Sequence, residues 1–277
     1  MDSKWNNDRM EAPVVAVLSL KGGVGKTTVT LGIASAAMHE GRRVLVVDLD
    51  PQANATAGLA VPQTHDFSTS DVLYDGRPGV ALDAITATGW GELADCIPAE
   101  RALEHRAVPS GHDPGRRLQR ALRGVRERYD LILLDCPPSL GELTRNALFA
   151  ATQAVVVTEP TYFAVQGAQQ AVEAVSVARQ EGNRDLSVIA IVPNRTRATQ
   201  SEHRYRLQEL HDVFGDVVAE PIAERTAIQQ AQGAGVPIHA WKSRGAGSAA
   251  RTFDDLLGRV ADVTGRAMVN DQAKSEN

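Results

Sequence analysis

Short apolar runs recur along this chain, and longer segments with helical periodicity lie between them. Each run is apolar and rich in β-branched residues, without the polar alternation of a strand that faces solvent. It therefore predicts a strand buried on both faces of a parallel sheet. The predicted strands cover residues 14–18, 43–50, 131–135, 153–158 and 186–192. Strands that alternate with helices favour the α/β class, with a parallel sheet.

The helical segments are predicted from composition, periodicity and end signals. They cover residues 29–40, which Gly41 ends, then 70–74, 116–128, 140–150, 161–181, a segment that begins at Ser201, and 248–268. Ser139 and Glu142 are three residues apart and predict a capping box for the helix that runs to Ala150. Between residues 58 and 114 the pattern is less regular, and the strand predicted there covers residues 103–108.

The segment between the first strand and the first helix has the composition of a phosphate-binding loop. Residues 19–28 are Ser-Leu-Lys-Gly-Gly-Val-Gly-Lys-Thr-Thr. Glycines let backbone N–H groups converge on an anion, and the helix N-terminus adds partial positive charge. Lys26 can then reach the β- and γ-phosphates, and the Thr27 hydroxyl can bind Mg²⁺. The candidate nucleotide-binding residues of this loop are Lys21, Gly22, Gly23, Val24, Gly25, Lys26, Thr27 and Thr28.

Three aspartates stand at the ends of predicted strands. Asp48 and Asp50 are two residues apart at the end of the second strand, so both can face one site. Asp135 ends another apolar run and is followed by Cys-Pro-Pro-Ser. Ligands bind at the carboxyl ends of strands in an open α/β sheet, which makes these acids candidates for metal and phosphate chemistry. A structural alternative for Asp50 is that it caps the following helix.

The phosphate-binding loop resembles the deviant Walker A motif, Lys-Gly-Gly-x-Gly-Lys-Thr-Thr, of the ParA/MinD family of dimerising ATPases. Leu20 stands where the usual first glycine would be, and Lys21 is the additional lysine of the motif. A lysine so close to the strand end is better placed to reach a nucleotide held by a second subunit than its own. We therefore expect Lys21, Lys26 and Asp50 to be the catalytic residues.

Two further segments are similar to ParA motifs. Residues 48–56 are Asp-Leu-Asp-Pro-Gln-Ala-Asn-Ala-Thr, and residues 135–139 are Asp-Cys-Pro-Pro-Ser. The resemblance implies that Asp50 orients the attacking water and that Asp48 supports Mg²⁺ through its water shell. The metal site expected from all three motifs consists of Thr27, Asp48 and Asp135.

The resemblance extends from about Val14 to about Val263 and is closest to the short, Soj-like partition ParA proteins. It implies an α/β fold with a doubly wound, mostly parallel sheet flanked by helices. It implies a homodimer that forms with ATP and Mg²⁺ and binds nonspecific double-stranded DNA. A ParB-like partner would accelerate hydrolysis, and the cycle would segregate a plasmid or chromosome. Relatives often contact adenine just after the last core strand, so Asn194 is the candidate there. The alternative is an ordinary turn asparagine.

The charge balance limits where DNA could bind. A net charge of −5 and a pI near 5.8 give no overall attraction to nucleic acid, so a contact needs a local basic patch. Two groups of cationic residues, at positions 195–206 and 242–251, could together form such a patch and hold DNA phosphates. The candidates are Arg204, Arg206, Lys242, Arg244 and Arg251. The alternative is that they form a solvated face.

The remaining features predict one ATPase domain over residues 13–268 between flexible tails at residues 1–12 and 269–277. The first tail lacks the apolar segment of a signal peptide, and two cysteines are too few for a disulfide framework. We therefore expect a cytoplasmic protein, and the resemblance to ParA proteins implies that it is nucleoid-associated.

Three alternatives to DNA partition share the same motifs. A ParA-like ATPase can position a protein cargo, and a MinD-like ATPase can associate with a membrane. The C-terminal segment lacks the basic amphipathic helix that membrane association needs, so we expect no membrane partner. The third alternative is a metabolic enzyme of the same superfamily that has this loop, such as a nitrogenase-type reductase or a carboxylate-activating synthetase. A cluster-bearing reductase would need paired cysteines, for which Cys136 has no neighbour at suitable spacing.

Overall fold

The computed structural model describes residues 11–109 and 113–275, with side chains up to Val260. The strands are β1 (Val14–Leu18), β2 (Val44–Asp48), β3 (Thr86–Ala87), β4 (Ala94–Ile97), β5 (Leu131–Asp135), β6 (Gln153–Thr158) and β7 (Ser187–Pro193). The helices are α1 (Lys26–His39), α2 (Asn54–Gly58), α3 (Thr69–Asp75), α4 (Arg117–Ala121), α5 (Glu142–Ala150), α6 (Ala164–Gln180), α7 (Ser201–Phe214), α8 (Thr226–Gly233) and α9 (Ala246–Ser275). Short 3₁₀ turns cover Val80–Ala84, Arg101–Arg106, Pro114–Arg116, Arg126–Arg128 and Gly215–Val217.

The strands form one sheet in the order β3-β4-β2-β5-β1-β6-β7. Neighbouring strands are parallel except for β3, which pairs antiparallel with β4 at one edge. Helices cover both faces of the sheet, so the predicted doubly wound α/β fold and the five predicted strands are confirmed. The chain leaves β1 toward one edge of the sheet and leaves β5 toward the other. Because the connections run in opposite directions from these two neighbouring strands, a crevice forms at the carboxyl end of β1. Folds of this kind bind their ligands in such a crevice.

The central strands divide the core into two layers. Val14, Ala16 and Leu18 of β1 contribute to one layer, and Val15 and Val17 contribute to the other, because successive side chains point to opposite faces. The first layer also holds side chains of α3 to α7, and the second holds those of α1, α2, α8 and α9. The strands are thus buried on both faces, as their apolar runs predict.

Close packing of α1 against α9 fixes the helix that follows the phosphate-binding loop. A Cβ atom on Gly32 of α1 would lie 2.2 Å from the ring of Phe253 of α9, which is itself fully buried. Position 32 therefore needs glycine for the approach of the two helices. This contact holds α1, and with it the loop at its N-terminus, against the second core layer.

Two predicted elements are wrong. Residues 103–108, predicted as a strand, lie mostly in the 3₁₀ turn Arg101–Arg106, where only Leu103 is buried. A single buried leucine can anchor either a turn or a strand, so the short sequence pattern could not distinguish the two structures. The predicted helix 116–128 is interrupted after Ala121, because Gly124 has a φ of 78° that ends regular helical geometry.

The predicted capping box is also wrong. Gly141 precedes the first residue of α5, and no side chain caps this helix. Ser139 takes part through its carbonyl oxygen instead, which accepts a hydrogen bond from the Thr144 hydroxyl at 2.5 Å. Glu142 is the first residue of α5, so the predicted spacing places it two positions too early for the box.

The edge of the sheet formed by β3 and β4 was not predicted. The four residues of β4 include Asp95 at the second position, which breaks the apolar run that marks the central strands. The Asp95 carboxylate accepts a hydrogen bond from the Tyr129 hydroxyl at 2.7 Å, so a polar residue is satisfied inside the sheet. Cys96 of β4 is fully buried.

The final helix, α9, begins two residues before its predicted start and continues to Ser275. The predicted N-terminal tail lies outside the described residues up to position 10, and so do positions 276 and 277 of the predicted C-terminal tail. The division into one domain and two tails stays a prediction. In the part of the chain that the structure describes, every helix is too short or too polar to cross a membrane.

Candidate nucleotide-binding site

The phosphate-binding loop owes its shape to three glycines. Gly23 and Gly25 have φ angles of 80° and 89°, a left-handed backbone that other residues adopt at a cost. Gly25 is the residue that precedes α1, so the loop leads directly into the helix N-terminus. A Cβ on Gly22 would meet the Pro138 ring at 3.5 Å, which shows how closely the loop packs on the turn after β5. The predicted strand–loop–helix context is therefore present.

Lys26 begins α1 and points into the site rather than into solvent. Its side chain is buried, and its ammonium donates a hydrogen bond to the Ser19 hydroxyl at 3.2 Å. The Ser19 hydroxyl in turn donates to the Lys21 carbonyl oxygen at 2.8 Å. Burial lowers the pKa of Lys26, and the negative charges of Asp135 and Asp50 oppose that shift. Ser19 is thus a site residue to which the sequence had assigned no role.

Asp135, at the end of β5, joins that strand to α1. Its two carboxylate oxygens accept hydrogen bonds from the hydroxyls of Thr27 at 2.7 Å and Thr30 at 2.8 Å. The two threonines are three residues apart, so they lie on one face of the helix. Thr30 was missed, although this spacing was a readable signal.

Asp48 lies beside Asp135, since the two residues are paired in the register of β2 and β5. One oxygen of Asp48 accepts from the backbone N–H of Asp50 at 3.0 Å, and the other accepts from the N–H and hydroxyl of Thr56, each at 2.8 Å. Thr56 also accepts a hydrogen bond from the N–H of Ala99 at 3.0 Å. Asp48 therefore organises the loop after β2 besides facing the site.

Burial of this acidic pair changes its protonation. Burial, together with the charge of Asp135, raises the pKa of Asp48 to about 7. Burial also raises the pKa of Asp135 to about 6, although hydrogen bonds from Thr27 and Thr30 oppose the shift. Two carboxylates this close are costly to ionise together without a cation. A bound cation therefore has a strong electrostatic reason to occupy this position.

Asp50 lies just beyond the end of β2 and does not cap the next helix. Ala53 precedes the first residue of α2, and no side chain caps that helix. One carboxylate oxygen of Asp50 accepts from the N–H of Gln52 at 2.9 Å, a local turn that fixes the side chain. The structural alternative for Asp50 is thus wrong. Its buried carboxylate acts electrostatically on both Lys26 and Asp135.

The oxygen atoms present fit Mg²⁺. The Thr27 hydroxyl donates its proton to Asp135, which leaves the oxygen lone pairs available to a cation. Among the side chains that the structure describes, no group of three or more His, Cys, Asp or Glu residues could hold a metal by itself. This agrees with Mg²⁺ chemistry, in which one or two carboxylates and the phosphates of a nucleotide complete the coordination.

Lys21 differs from Lys26 in its surroundings. Its side chain is exposed, and it lines a cavity of about 330 Å³ between the start of the loop and α6. Glu159, which follows β6, lines the same cavity. Phe163 also lines this cavity, and Tyr162 precedes it in the chain. Tyr162 is 71% exposed and Phe163 is 61% exposed, and their rings meet edge to face with their centroids 5.0 Å apart. An exposed aromatic pair of this kind is typical of a contact surface.

Asn194 and Thr28 contact parts of the site other than those expected. The Asn194 amide nitrogen donates to the Val24 carbonyl oxygen at 2.8 Å, so this side chain faces the phosphate-binding loop. The Thr28 hydroxyl donates to Gln232 of α8 at 3.2 Å. Nothing in the sequence pattern marks Gln232, because it lies 204 residues from its partner. An adenine contact of Asn194 stays a prediction.

The two candidate DNA-binding residues of α7 have different surroundings. Arg206 forms ion pairs with Glu202 and Glu209, each at 2.7 Å, and lies 5.0 Å from the ring centroids of Tyr162 and Tyr205. Its charge is therefore compensated within the chain. Arg204 is exposed and donates one hydrogen bond to the Ala198 carbonyl oxygen.

Lys242, Arg244 and Arg251 are exposed around the start of α9. None of the three forms an ion pair with an acidic side chain among residues 11–109 and 113–260. Arg225, which the sequence interpretation had not included, donates to the Ser248 hydroxyl at 3.1 Å and so brings another guanidinium to the first turn of α9. The structure thus concentrates cations near one helix start.

Comparisons with known proteins agree with this geometry. A family model described as an AAA domain, AAA_31, matches residues 12–188. The sporulation initiation inhibitor protein Soj of Bacillus subtilis is 34% identical over 252 residues, which is 90% of this chain and 98% of Soj. The chromosome partitioning protein ParA of Caulobacter vibrioides is 33% identical over 263 residues, 92% of this chain and 97% of that protein.

A similar solved structure is cobyrinic acid a,c-diamide synthase of Mycobacterium smegmatis with a bound ATP analogue and magnesium. It is 31% identical, has a TM-score of 0.73, and the match covers 89% of this chain and 94% of the synthase. The motifs, the sheet order and these similarities lead to one family. The chain belongs to the AAA_31 family of P-loop nucleotide-binding proteins and, with Soj and ParA, to the ParA/MinD superfamily.

Proposed function

We propose that this protein is a ParA-type partition ATPase, in which ATP and Mg²⁺ join two copies into a dimer that binds double-stranded DNA without sequence preference. The observation that carries the proposal is the contrast between two lysines of one loop. Lys26 is 6% exposed and bonded within its own subunit, whereas Lys21 is exposed beside an open cavity. A lysine that faces outward at a phosphate site is available to a second copy.

Within one subunit, each charged residue has a separate role. Lys26 binds the phosphates. Thr27 and Asp135 would hold Mg²⁺ with support from Asp48, and the cation would supply charge that neutralises the phosphates. Asp50 orients the attacking water, for which its fixed, nearly buried carboxylate is suited. Lys21 of the second copy adds positive charge at a site from which dimerisation removes water. Such an interaction is stronger there than at an exposed surface.

The surface around Lys21 supports the dimer. Tyr162, Phe163 and Leu20 are exposed next to the cavity, and a second copy would cover them. Lys21 and Glu159 line the same cavity, so a twofold axis can bring the cation of one copy to the acid of the other. Apolar contact and opposite charge thus lie on one self-complementary surface.

The cations around α9 support DNA binding. Lys242, Arg244 and Arg251 are exposed and have no acidic partner among the described side chains, so they are free to contact phosphates. Arg204 is a further candidate, whereas the charge of Arg206 is paired with acidic residues of its own helix. Hydrolysis stimulated by a ParB-like protein would separate the copies and release DNA. The cycle would act in the cytoplasm, on the nucleoid, to segregate a plasmid or chromosome.

Size-exclusion chromatography with light scattering tests the dimer. With Mg²⁺ and a non-hydrolysable ATP analogue, the wild-type protein should elute as a dimer. Lys21→Ala should bind the analogue but remain a monomer, because the contact across the interface is lost. Lys242→Ala, which also removes one exposed lysine, should still dimerise and serves as the matched control. A wild-type protein that stays monomeric with the analogue bound would contradict the proposal.

Asp50→Ala provides the second arm of that experiment. With ATP itself, this variant should remain a dimer, because it binds the nucleotide but does not activate water. Its hydrolysis rate should fall by about 100-fold, a typical effect of losing a general base. ATP turnover that requires an added carboxylic acid substrate would instead favour synthase chemistry.

A further inference from the structure

We infer that Asn194 is a positioning residue that holds the phosphate-binding loop in the shape needed for nucleotide phosphates. The inference rests on the proposed nucleotide-binding function and deepens it. Asn194 follows β7, and only 2% of its surface is exposed. Its backbone N–H donates to the Thr158 carbonyl oxygen at 2.7 Å, which ties the residue to the end of β6. The side chain is therefore presented to the loop from a rigid part of the sheet.

The contact acts on a single peptide group of the loop. The Asn194 amide nitrogen donates to the Val24 carbonyl oxygen at 2.8 Å. The peptide between Val24 and Gly25 is planar and trans, so its C=O and N–H point in opposite directions. Holding the carbonyl toward Asn194 turns the Gly25 N–H to the opposite side, away from Asn194. That N–H is then one of the donors to a phosphate oxygen.

The glycine at position 25 completes the arrangement. A Cβ there would lie 2.2 Å from the Asn194 amide nitrogen, and the Gly25 φ of 89° already disfavours any other residue. Asn194 therefore packs directly against Gly25, the residue before α1, where any larger side chain would clash with it. A hydrogen bond between them costs no rearrangement when a nucleotide binds, which is the advantage of a preorganised site.

Two substitutions at position 194 separate loop positioning from an adenine contact. Asn194→Ala removes the donor to Val24. Asn194→Asp keeps the shape and an oxygen acceptor but, when ionised, has no proton to donate. We expect Asn194→Ala to bind ATP about tenfold more weakly, the size of one lost hydrogen bond. Asn194→Asp should bind at least as weakly, because its ionised carboxylate also repels the phosphates.

Inorganic tripolyphosphate is the decisive probe, because it has the phosphates of ATP and no base. Measured by competition against a fluorescent ATP analogue with Mg²⁺, its affinity should fall by the same factor as that of ATP in both variants. An unchanged tripolyphosphate affinity together with weaker ATP binding would overturn the inference in favour of an adenine contact. A wild-type protein that does not bind ATP would instead contradict the proposed function itself.

The pH dependence of Asn194→Asp adds a readout that a merely structural role would not move. As the introduced carboxyl group becomes protonated, it can again donate to Val24. ATP affinity relative to wild type should therefore recover as the pH is lowered. Asn194→Ala should show no recovery, and recovery in both variants or in neither would count against the inference.

Asn183→Ala is the matched structural control. The Asn183 amide nitrogen donates to the carbonyl oxygens of Leu148 at 2.6 Å and Ala151 at 2.8 Å, remote in the fold from the phosphate-binding loop. Its loss should lower thermal stability but leave the affinities for ATP and tripolyphosphate within about twofold of wild type. A tenfold loss of affinity in this control would show that general destabilisation, not loop positioning, explains the effect at Asn194.

Discussion

The charged side chains at the carboxyl edge of the sheet differ from those at the start of α9 in how they meet solvent. Lys26, Asp48 and Asp135 are buried, and each has hydrogen-bond partners that fix its position. Lys242 and Arg244 lie on the surface before α9. The carboxyl edge holds a few charged side chains whose positions are fixed by hydrogen bonds. The start of α9 presents several exposed cations whose side chains can change position.

This difference determines how each region responds to mutation. A buried charge is stable only with its partners, so losing one member leaves the others uncompensated. Exposed cations are hydrated and screened by salt, and each contributes little alone. We therefore expect single substitutions to have large effects at the carboxyl edge and combined substitutions to be needed around α9. The three predictions below test that contrast.

The largest effect is expected for Lys26→Ala. Truncating one partner of a buried, hydrogen-bonded charge pair costs about 2–5 kcal/mol, so ATP affinity should fall by at least about 30-fold. Isothermal titration calorimetry with Mg²⁺ and a non-hydrolysable analogue measures this. Lys242→Ala, the matched exposed lysine, should leave the affinity unchanged. Equal losses for the two lysines would remove the distinction between the regions.

The carboxyl edge is also the region that the sequence predicts best. β2 and β5 are each an uninterrupted apolar run that ends in an aspartate of the site, Asp48 or Asp135. The sequence therefore shows both the type of the site residue and its position at the end of a strand. Gly23 and Gly25 of the loop have the positive φ angles for which glycine is suited. Local sequence determines these features, which is why they could be predicted without the fold.

Contacts between distant segments could not be predicted. Asn194 meets Val24 across 170 residues, and Arg225 meets Ser248 because the fold brings α8 and α9 together. By contrast, the pairing of Arg206 with Glu202 and Glu209 follows helical spacing of four and three residues and could have been read from the sequence. A count of arginines on α7 therefore overestimates the charge available to DNA.

The double variant Lys242→Glu with Arg244→Glu tests the exposed region. DNA affinity should fall by about tenfold at low salt, and the slope of log affinity against log salt concentration should flatten by about one per lost phosphate contact. Fluorescence anisotropy with a random-sequence duplex and the ATP-bound protein measures both. Arg206→Ala, whose charge is already paired, should change DNA affinity by less than about twofold. An equal loss in Arg206→Ala would contradict the proposed difference between these cations.

The smallest effect is expected in the pH dependence of stability, and it arises from the buried acids. Burial raises the pKa of Asp48 to about 7 and that of Asp135 to about 6, above the unfolded value near 4. The folded chain therefore retains protons that the unfolded chain has lost, and the free energy of unfolding falls as the pH rises from about 4 to about 7. Asp135→Asn should reduce that fall by about 1 kcal/mol or more, because it removes one acid and the charge that raises the pKa of Asp48. The hydroxyls of Thr27 and Thr30 can rotate to meet an amide, so the substitution is sterically mild.

Urea unfolding without Mg²⁺ or nucleotide at several pH values measures the effect. An exposed acid, Asp212, changed to Asn is the control, and an identical pH profile in all three proteins would show that these carboxylates are not the cause.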